Sequence, residues 1–91
     1  MFTINNPTPD DCPSMDSWTR SVFIVFQKEV GENGTPHYQG YVEFDRPVRL
    51  GHVQRCNVRA HWEIRKGSHD QAVQYCTKED TRIEDPVYLF A

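Results

Sequence analysis

No apolar run in the 91 residues is long enough to cross a membrane as a helix, which takes roughly 20 such residues. Cysteine is scarce: Cys12, Cys56 and Cys76 are odd in number, widely spaced and without a Cys-x-x-Cys pair. Those spacings argue against a disulfide framework and against a closed zinc site, and they fit a reducing compartment. Met1-Phe-Thr-Ile-Asn-Asn-Pro7 lacks the basic segment and apolar core of a secretory signal. There is no Gly-x-x-x-x-Gly-Lys-Ser/Thr loop, so neither ATP binding nor unwinding is expected from these residues. Repeats and low-complexity stretches are missing too. What remains is one modest domain, able to bury about 60–65% of its unfolded surface.

The net charge of −3 argues at first sight against a nucleic-acid partner. It is unevenly spread, however. Residues 1–45 carry seven acids against two bases, and residues 79–91 carry four acids against Arg82 alone. Between them, residues 46–78 carry seven bases (Arg46, Arg49, Arg55, Arg59, Arg65, Lys66 and Lys78) against Glu63 and Asp70. The block reads either as an uneven solvated surface or as a face for a polyanion.

Phe2–Asn5, ended by Asn-Pro, reads as a strand. The proline-rich residues 7–14 read as loop, and Ser14–Ser21 as a short helix capped by Ser14 or Asp16. Val22–Glu29 is a β-branched and aromatic run typical of a buried strand. Asn33-Gly34 signals a hairpin turn, with His37–Phe44 as the second arm. A helical turn is expected around Gly51–Arg55. Val58–Arg65 alternates as a strand, with Val58, Ala60, Trp62 and Ile64 on one face. Ser68 caps a helix running through Lys78, and Val87–Phe90 closes the chain as a strand. The order implies an α+β fold: a central antiparallel sheet of about five strands with helices packed on one face, ferredoxin-like or RNA-recognition-like.

Three groups carry chemistry. His37 and Gln39, two apart on a strand, project to one face, and Glu29 ends the partner arm of the same hairpin. An imidazole, an amide oxygen and a carboxylate make a mixed, hard ligand set suited to Mg²⁺ or Mn²⁺ on phosphate oxygens. The alternative is a strand whose outer face is simply polar. Tyr75 and Lys78, three apart, share a helical face with Gln71. A phenol is a poor nucleophile at neutral pH, but a neighbouring cation or a metal-polarised phosphate makes it competent. The alternative is a half-buried tyrosine on an amphipathic helix. Asn5 and Asn6 offer donors and acceptors suited to base edges or to closing a turn.

Taken in order, these groups resemble the endonuclease domain of replication-initiator (Rep) proteins from circular single-stranded DNA viruses, the circovirus-like and nanovirus-like group, whose fold is the HUH endonuclease topology. Phe2-Thr-Ile-Asn-Asn-Pro7 resembles the first motif of that family. Pro36-His-Tyr-Gln-Gly-Tyr41 resembles the second, with glutamine replacing the second histidine. Tyr75-Cys-Thr-Lys78 resembles the third, Tyr-x-x-Lys, and Ala60–Ser68 leading into it is similar as well. The resemblance implies that Tyr75 attacks a phosphodiester, leaving a 3′-hydroxyl and a 5′-phosphotyrosine. It implies that Lys78 assists near metal and phosphate, that Glu29, His37 and Gln39 hold Mn²⁺ or Mg²⁺, and that Thr3, Asn5 and Asn6 touch origin DNA. Arg46, Arg49, Arg55 and Arg59 are then candidates for phosphate contact. The partner would be single-stranded DNA of a viral origin stem-loop, in the host nucleus, without a membrane. Residues 1–91 would be a single endonuclease domain belonging to a longer protein with a downstream helicase. The rival from another class is a non-catalytic single-strand-binding module of RNA-recognition type, stacking bases on Phe2, Tyr38 or Tyr41.

Overall fold

The computed structural model describes residues 1–91. Its strands are β1 (Phe2–Asn5), β2 (Ser21–Val30), β3 (Pro36–Phe44), β4 (His61–Trp62) and β5 (Val87–Phe90); its helices are α1 (Leu50–Cys56) and α2 (His69–Cys76). The strands form one sheet in the order β4-β1-β3-β2-β5, with every neighbouring pair antiparallel. The α+β class and the five-stranded antiparallel sheet are those expected.

The central hairpin forms for the reason its turn residues suggest. Gly34 takes a left-handed φ of +74°, and its N–H donates to the Gly31 carbonyl at 2.9 Å. A second glycine is needed inside β3. Gly40 lies opposite Phe2, and a Cβ there would come within 2.1 Å of the Phe2 ring.

Strand alternation sorts the side chains onto two faces. Phe2, Ile4, Ile24, Phe26 and Val42 point one way and join Trp18 in an apolar cluster, against which Trp62 and Cys56 of α1 also pack. Val25 and Tyr41 point the other way and meet Ala72 and Cys76 of α2. Helix α2 covers that face, as expected, while α1 buries no residue and reaches the other cluster through Cys56 alone. The intervening residues of β2 and β3 carry apolar groups on each side, and each side needs a cover.

Two local expectations are corrected. Ser14–Ser21 forms turns, not a helix. The Ser14 hydroxyl accepts from the Asp16 N–H at 3.2 Å, Arg20 is left-handed with φ +71°, and Trp18 is drawn into the core. Its ring sits 4.9 Å from that of Phe2 and 5.4 Å from that of Trp62. The strand expected over Val58–Arg65 shrinks to His61–Trp62. The Asn57 side-chain oxygen accepts the N–H groups of Arg59 and Ala60, which turns the chain there and leaves Val58 and Ile64 86% and 90% exposed.

Candidate active site

The polar half of the α2 face begins with strand register. Asn5, His37 and Glu29 lie in one row across β1, β3 and β2; Thr3, Gln39 and Gln27 form the adjacent row. The hairpin thus brings Glu29, His37 and Gln39 together, as the alternation of the sequence implies. Glu29 is 2% exposed at the end of β2. Its Oε1 accepts from Lys78 Nζ at 3.1 Å and from the Thr81 hydroxyl at 3.0 Å. Its Oε2 accepts from Gln27 Nε2 at 2.7 Å. Burial pushes the Glu29 carboxyl upward, but the hydrogen bonds from Gln27, Lys78 and Thr81 outweigh it and hold the group below the usual carboxylate range.

His37 lies 3.2 Å from the Thr35 carbonyl through Nδ1 and 3.4 Å from Glu29 Oε1 through Nε2. Both neighbours are acceptors; with a proton on Nδ1 directed at the carbonyl, Nε2 is the nitrogen available to a ligand beside the carboxylate. A backbone acceptor behind Nδ1 is the arrangement that orients a ligating imidazole. Gln39 is 8% exposed; its Oε1 accepts from the Thr3 hydroxyl and its Nε2 donates to the Phe2 carbonyl, both at 3.3 Å. No three His, Cys, Asp or Glu side chains group to hold a metal. The Gln39 amide oxygen is a further donor on the face of Glu29 and His37. That donor set, hard and mixed, fits a divalent ion that keeps open positions.

Helix α2 is fixed by its own ends. The Ser68 hydroxyl accepts from the Gln71 N–H at 3.1 Å, and the Gln71 side chain returns to the Ser68 N–H at 2.8 Å. Gln71 is thereby a capping residue and does not serve Tyr75. Ala72 and Cys76 anchor the helix, leaving Tyr75 53% exposed on its flank. Burial pushes the Cys76 thiol up to about 12, so it stays protonated and offers no rival nucleophile beside Tyr75. Lys78 lies past the end of α2, off the helical face expected for it. From there its ammonium reaches both ways: 3.1 Å to Glu29 Oε1 and 4.3 Å to the centroid of the Tyr75 ring.

Two open hollows flank the Thr3–Gln39 row. One, of about 170 Å³, is lined by Thr3, Gln39, His61 and Tyr75; the other, of about 470 Å³, by Thr3, Asn5, Thr35 and His37. Asn5 and Asn6 are exposed at the end of β1, and Asn6 is left-handed with φ +49°. Arg46, Arg49 and Arg55 are exposed but lie beyond the Phe44 end of β3, seven or more residues from His37. That end of β3 is itself roughly 23 Å along the strand from His37, and Arg49 lines a hollow there with Tyr41 and Arg65. Arg59 differs again. Its guanidinium pairs with buried Asp11 and donates to the Asn5 and Asn6 carbonyls at 2.9 and 3.3 Å. Gln27, Thr81 and Arg82 touch the site, and sequence reasoning passed over them. A polar Gln27 two residues before Glu29, on the same side of the strand and directly after the apolar run Ile24–Phe26, was the available signal.

Residues 1–79 match the model of the Viral_Rep family of viral replication proteins. The chain is 44% identical over 80 residues to the replication-associated protein of pigeon circovirus, covering 86% of this chain and 25% of that protein. It is 49% identical over 86 residues to the master replication protein of banana bunchy top virus, covering 94% of this chain and 29% of that protein. With the replication-associated protein of beak and feather disease virus, 40% identity extends over 80 residues, 86% of this chain and 28% of that protein. The chain thus spans between a quarter and three-tenths of these relatives. With the family model matched over most of its length, the chain belongs to the viral replication protein family, among the Rep proteins of circular single-stranded DNA viruses.

Proposed function

We propose that the chain nicks and rejoins single-stranded DNA at a viral replication origin through a covalent tyrosine link, starting and ending rolling-circle replication in the host nucleus. The observation that carries this is the position of Lys78. One ammonium group spans the space between a solvent-accessible phenol and a buried carboxylate beside an imidazole.

The residues divide the work as follows. Thr3 and Asn5, on the same face as His37, contact the strand that lies over the two hollows. Tyr75 Oη attacks the scissile phosphorus, its proton passing to solvent. The P–O3′ bond breaks, the departing oxygen takes up a proton to become a 3′-hydroxyl, and the 5′ phosphate stays on Tyr75. Rejoining is the reverse: a 3′-hydroxyl attacks the same phosphorus and the phenol leaves. Lys78 favours the negative charge that gathers on phenol and phosphate oxygens during both steps. A divalent ion, Mn²⁺ or Mg²⁺, held by Glu29, His37 and Gln39, would supply further charge withdrawal from a non-bridging phosphate oxygen. The bond energy is kept in the phosphotyrosine, so no water needs activating.

The rival base-stacking module fits poorly. Phe2 and Tyr41 are 1% and 2% exposed, and the Tyr38 ring packs 5.1 Å from that of Phe26 on the apolar side. Phe2 and Tyr41 are not free to stack on bases, and Tyr38 is half-buried. The deciding experiment mixes the protein with a labelled single-stranded origin oligonucleotide and Mn²⁺ and resolves the products on a denaturing gel. A protein–DNA band that disappears in Tyr75→Phe and in EDTA is expected. Binding without any such band overturns the proposal.

A further inference from the structure

The segment that follows Lys78 folds back along the outer edge of β2. Val30 N–H donates to the Thr81 carbonyl and Ile83 N–H to the Lys28 carbonyl, each at 3.0 Å, so that Arg82 stands opposite Glu29. From there the Arg82 guanidinium does two things. Its Nε donates to Gln27 Oε1 at 3.0 Å, and its Nη2 donates to the carbonyl of Thr77, the residue that ends α2.

Gln27 is 1% exposed, and both ends of its amide are used. Its Nε2 donates to Glu29 Oε2 at 2.7 Å and to the Lys78 carbonyl at 2.8 Å. The polarity of this chain admits one arrangement. A guanidinium only donates, so it claims the amide oxygen. The amide NH₂ is then turned toward two groups that only accept. Were the amide to flip, its oxygen would face the Glu29 carboxylate and the Lys78 carbonyl, with no proton on either side. The result is that Oε2 of Glu29 is held by Gln27, with Lys78 Nζ also 3.4 Å from it, while Oε1 accepts from Lys78 and Thr81 and is turned toward His37 Nε2.

We propose that Arg82 and Gln27 are positioning residues that fix the nucleophile-bearing helix against the ligand strand and hold Glu29 with one oxygen presented to a divalent cation. Arg82 grips both halves, the end of α2 through Thr77 and the carboxylate through Gln27, and Gln27 in turn joins Glu29 to the Lys78 carbonyl. The inference rests on the reading of Glu29 as a metal ligand and adds the residues that set its orientation. Outer partners of this kind are worth about 10–100-fold in metal affinity.

The test measures Mn²⁺ binding by the DNA-free protein, from the loss of the free-ion electron paramagnetic resonance signal, below the melting temperature of each variant. Arg82→Met and Gln27→Met are each expected to bind Mn²⁺ at least about tenfold more weakly than the wild type while keeping its circular dichroism spectrum. Arg82→Lys, which can still donate to Gln27 but cannot also grip Thr77, is expected to fall between wild type and Arg82→Met. Should Arg82→Met fail to fold, Gln27→Met and Arg82→Lys carry the same comparison. Wild-type binding with unchanged affinity in the folded variants overturns the positioning role alone. No Mn²⁺ binding by the wild type overturns the metal reading of Glu29, and this inference with it.

Discussion

On one side of the sheet, Phe2, Ile4, Trp18, Ile24, Phe26 and Val42 make a dry cluster in which three large rings, those of Phe2, Trp18 and Trp62, meet within 4.9–5.6 Å. On the other, the same three strands present Thr3, Gln27, Glu29, His37 and Gln39 to α2 and to the segment beyond it. Adjacent residues such as Phe26 and Gln27 therefore hold opposite duties, and a slip of one residue in pairing would exchange them. The dry face specifies the register; the polar face inherits its geometry from that register. Every buried side-chain polar atom has a partner, so the polar face is ordered by hydrogen bonds where the other is ordered by volume. The two faces should consequently fail in different ways.

The largest expected effect is on the dry face. Trp18 is 2% exposed, and Trp18→Ala is expected to cost about 3–5 kcal/mol. For a domain of this size that lowers the melting temperature by more than roughly 12 °C. Tyr75→Phe removes one hydroxyl from a half-exposed side chain and should change stability by less than about 0.5 kcal/mol while abolishing the DNA adduct. Thermal melts of the two variants side by side check the contrast. A Tyr75→Phe protein as unstable as Trp18→Ala would mean that the faces are not separable.

A smaller effect is expected at Arg59, which stands where the two faces meet the end of β1. It pairs with Asp11 and donates to the Asn5 and Asn6 carbonyls. Arg59→Ala is expected to cost about 1–3 kcal/mol through lost charge-assisted hydrogen bonds, with the DNA adduct retained. The sequence alone offered Arg59 as a phosphate contact. Unchanged stability with a salt dependence of DNA binding reduced by about one charge would support that role over the structural one.

This contrast also explains what could be read from the amino acids. Glu29, His37 and Gln39 were legible because strand parity and the Asn33-Gly34 turn decide their side and their register by local rules. Tyr75 was legible because the Ser68 cap and the residues after it specify a helix. Lys78 was paired with Tyr75 for the wrong reason, since it lies beyond that helix, off its face, and reaches the Tyr75 ring and Glu29 through its length. The helix expected over Ser14–Ser21 failed because Trp18 packs against residues far along the chain, a tertiary gain that overrides local preference. Gln27, Thr81 and Arg82 escaped notice because their partners are set by the return of the chain onto β2, some fifty residues apart in sequence. Nothing local announces such a return.

The smallest expected effect is a pH dependence anchored beside the dry face. The Asp11 carboxyl is held below the usual carboxylate range, first by the Thr8 N–H at 2.9 Å, and further by Asn57 and Arg59, against the upward push of burial. A carboxyl with a lower pKa in the folded state than in the unfolded chain binds fewer protons when folded. Its contribution is therefore complete above the unfolded value, about 3.9, and is lost as the pH falls below that value toward the folded one. Asp11→Asn removes this term. The stability gap between wild type and Asp11→Asn, measured by denaturant titration, should be widest at neutral pH and narrow as the pH falls below about 3.9. The DNA adduct at neutral pH should persist in the variant, because Asp11 does not reach the Glu29–His37 row. A gap that stays constant across the acid range would show that shape and hydrogen bonding, not charge, are what Asp11 provides to the turn, and loss of the adduct would show that the two faces are coupled through β1.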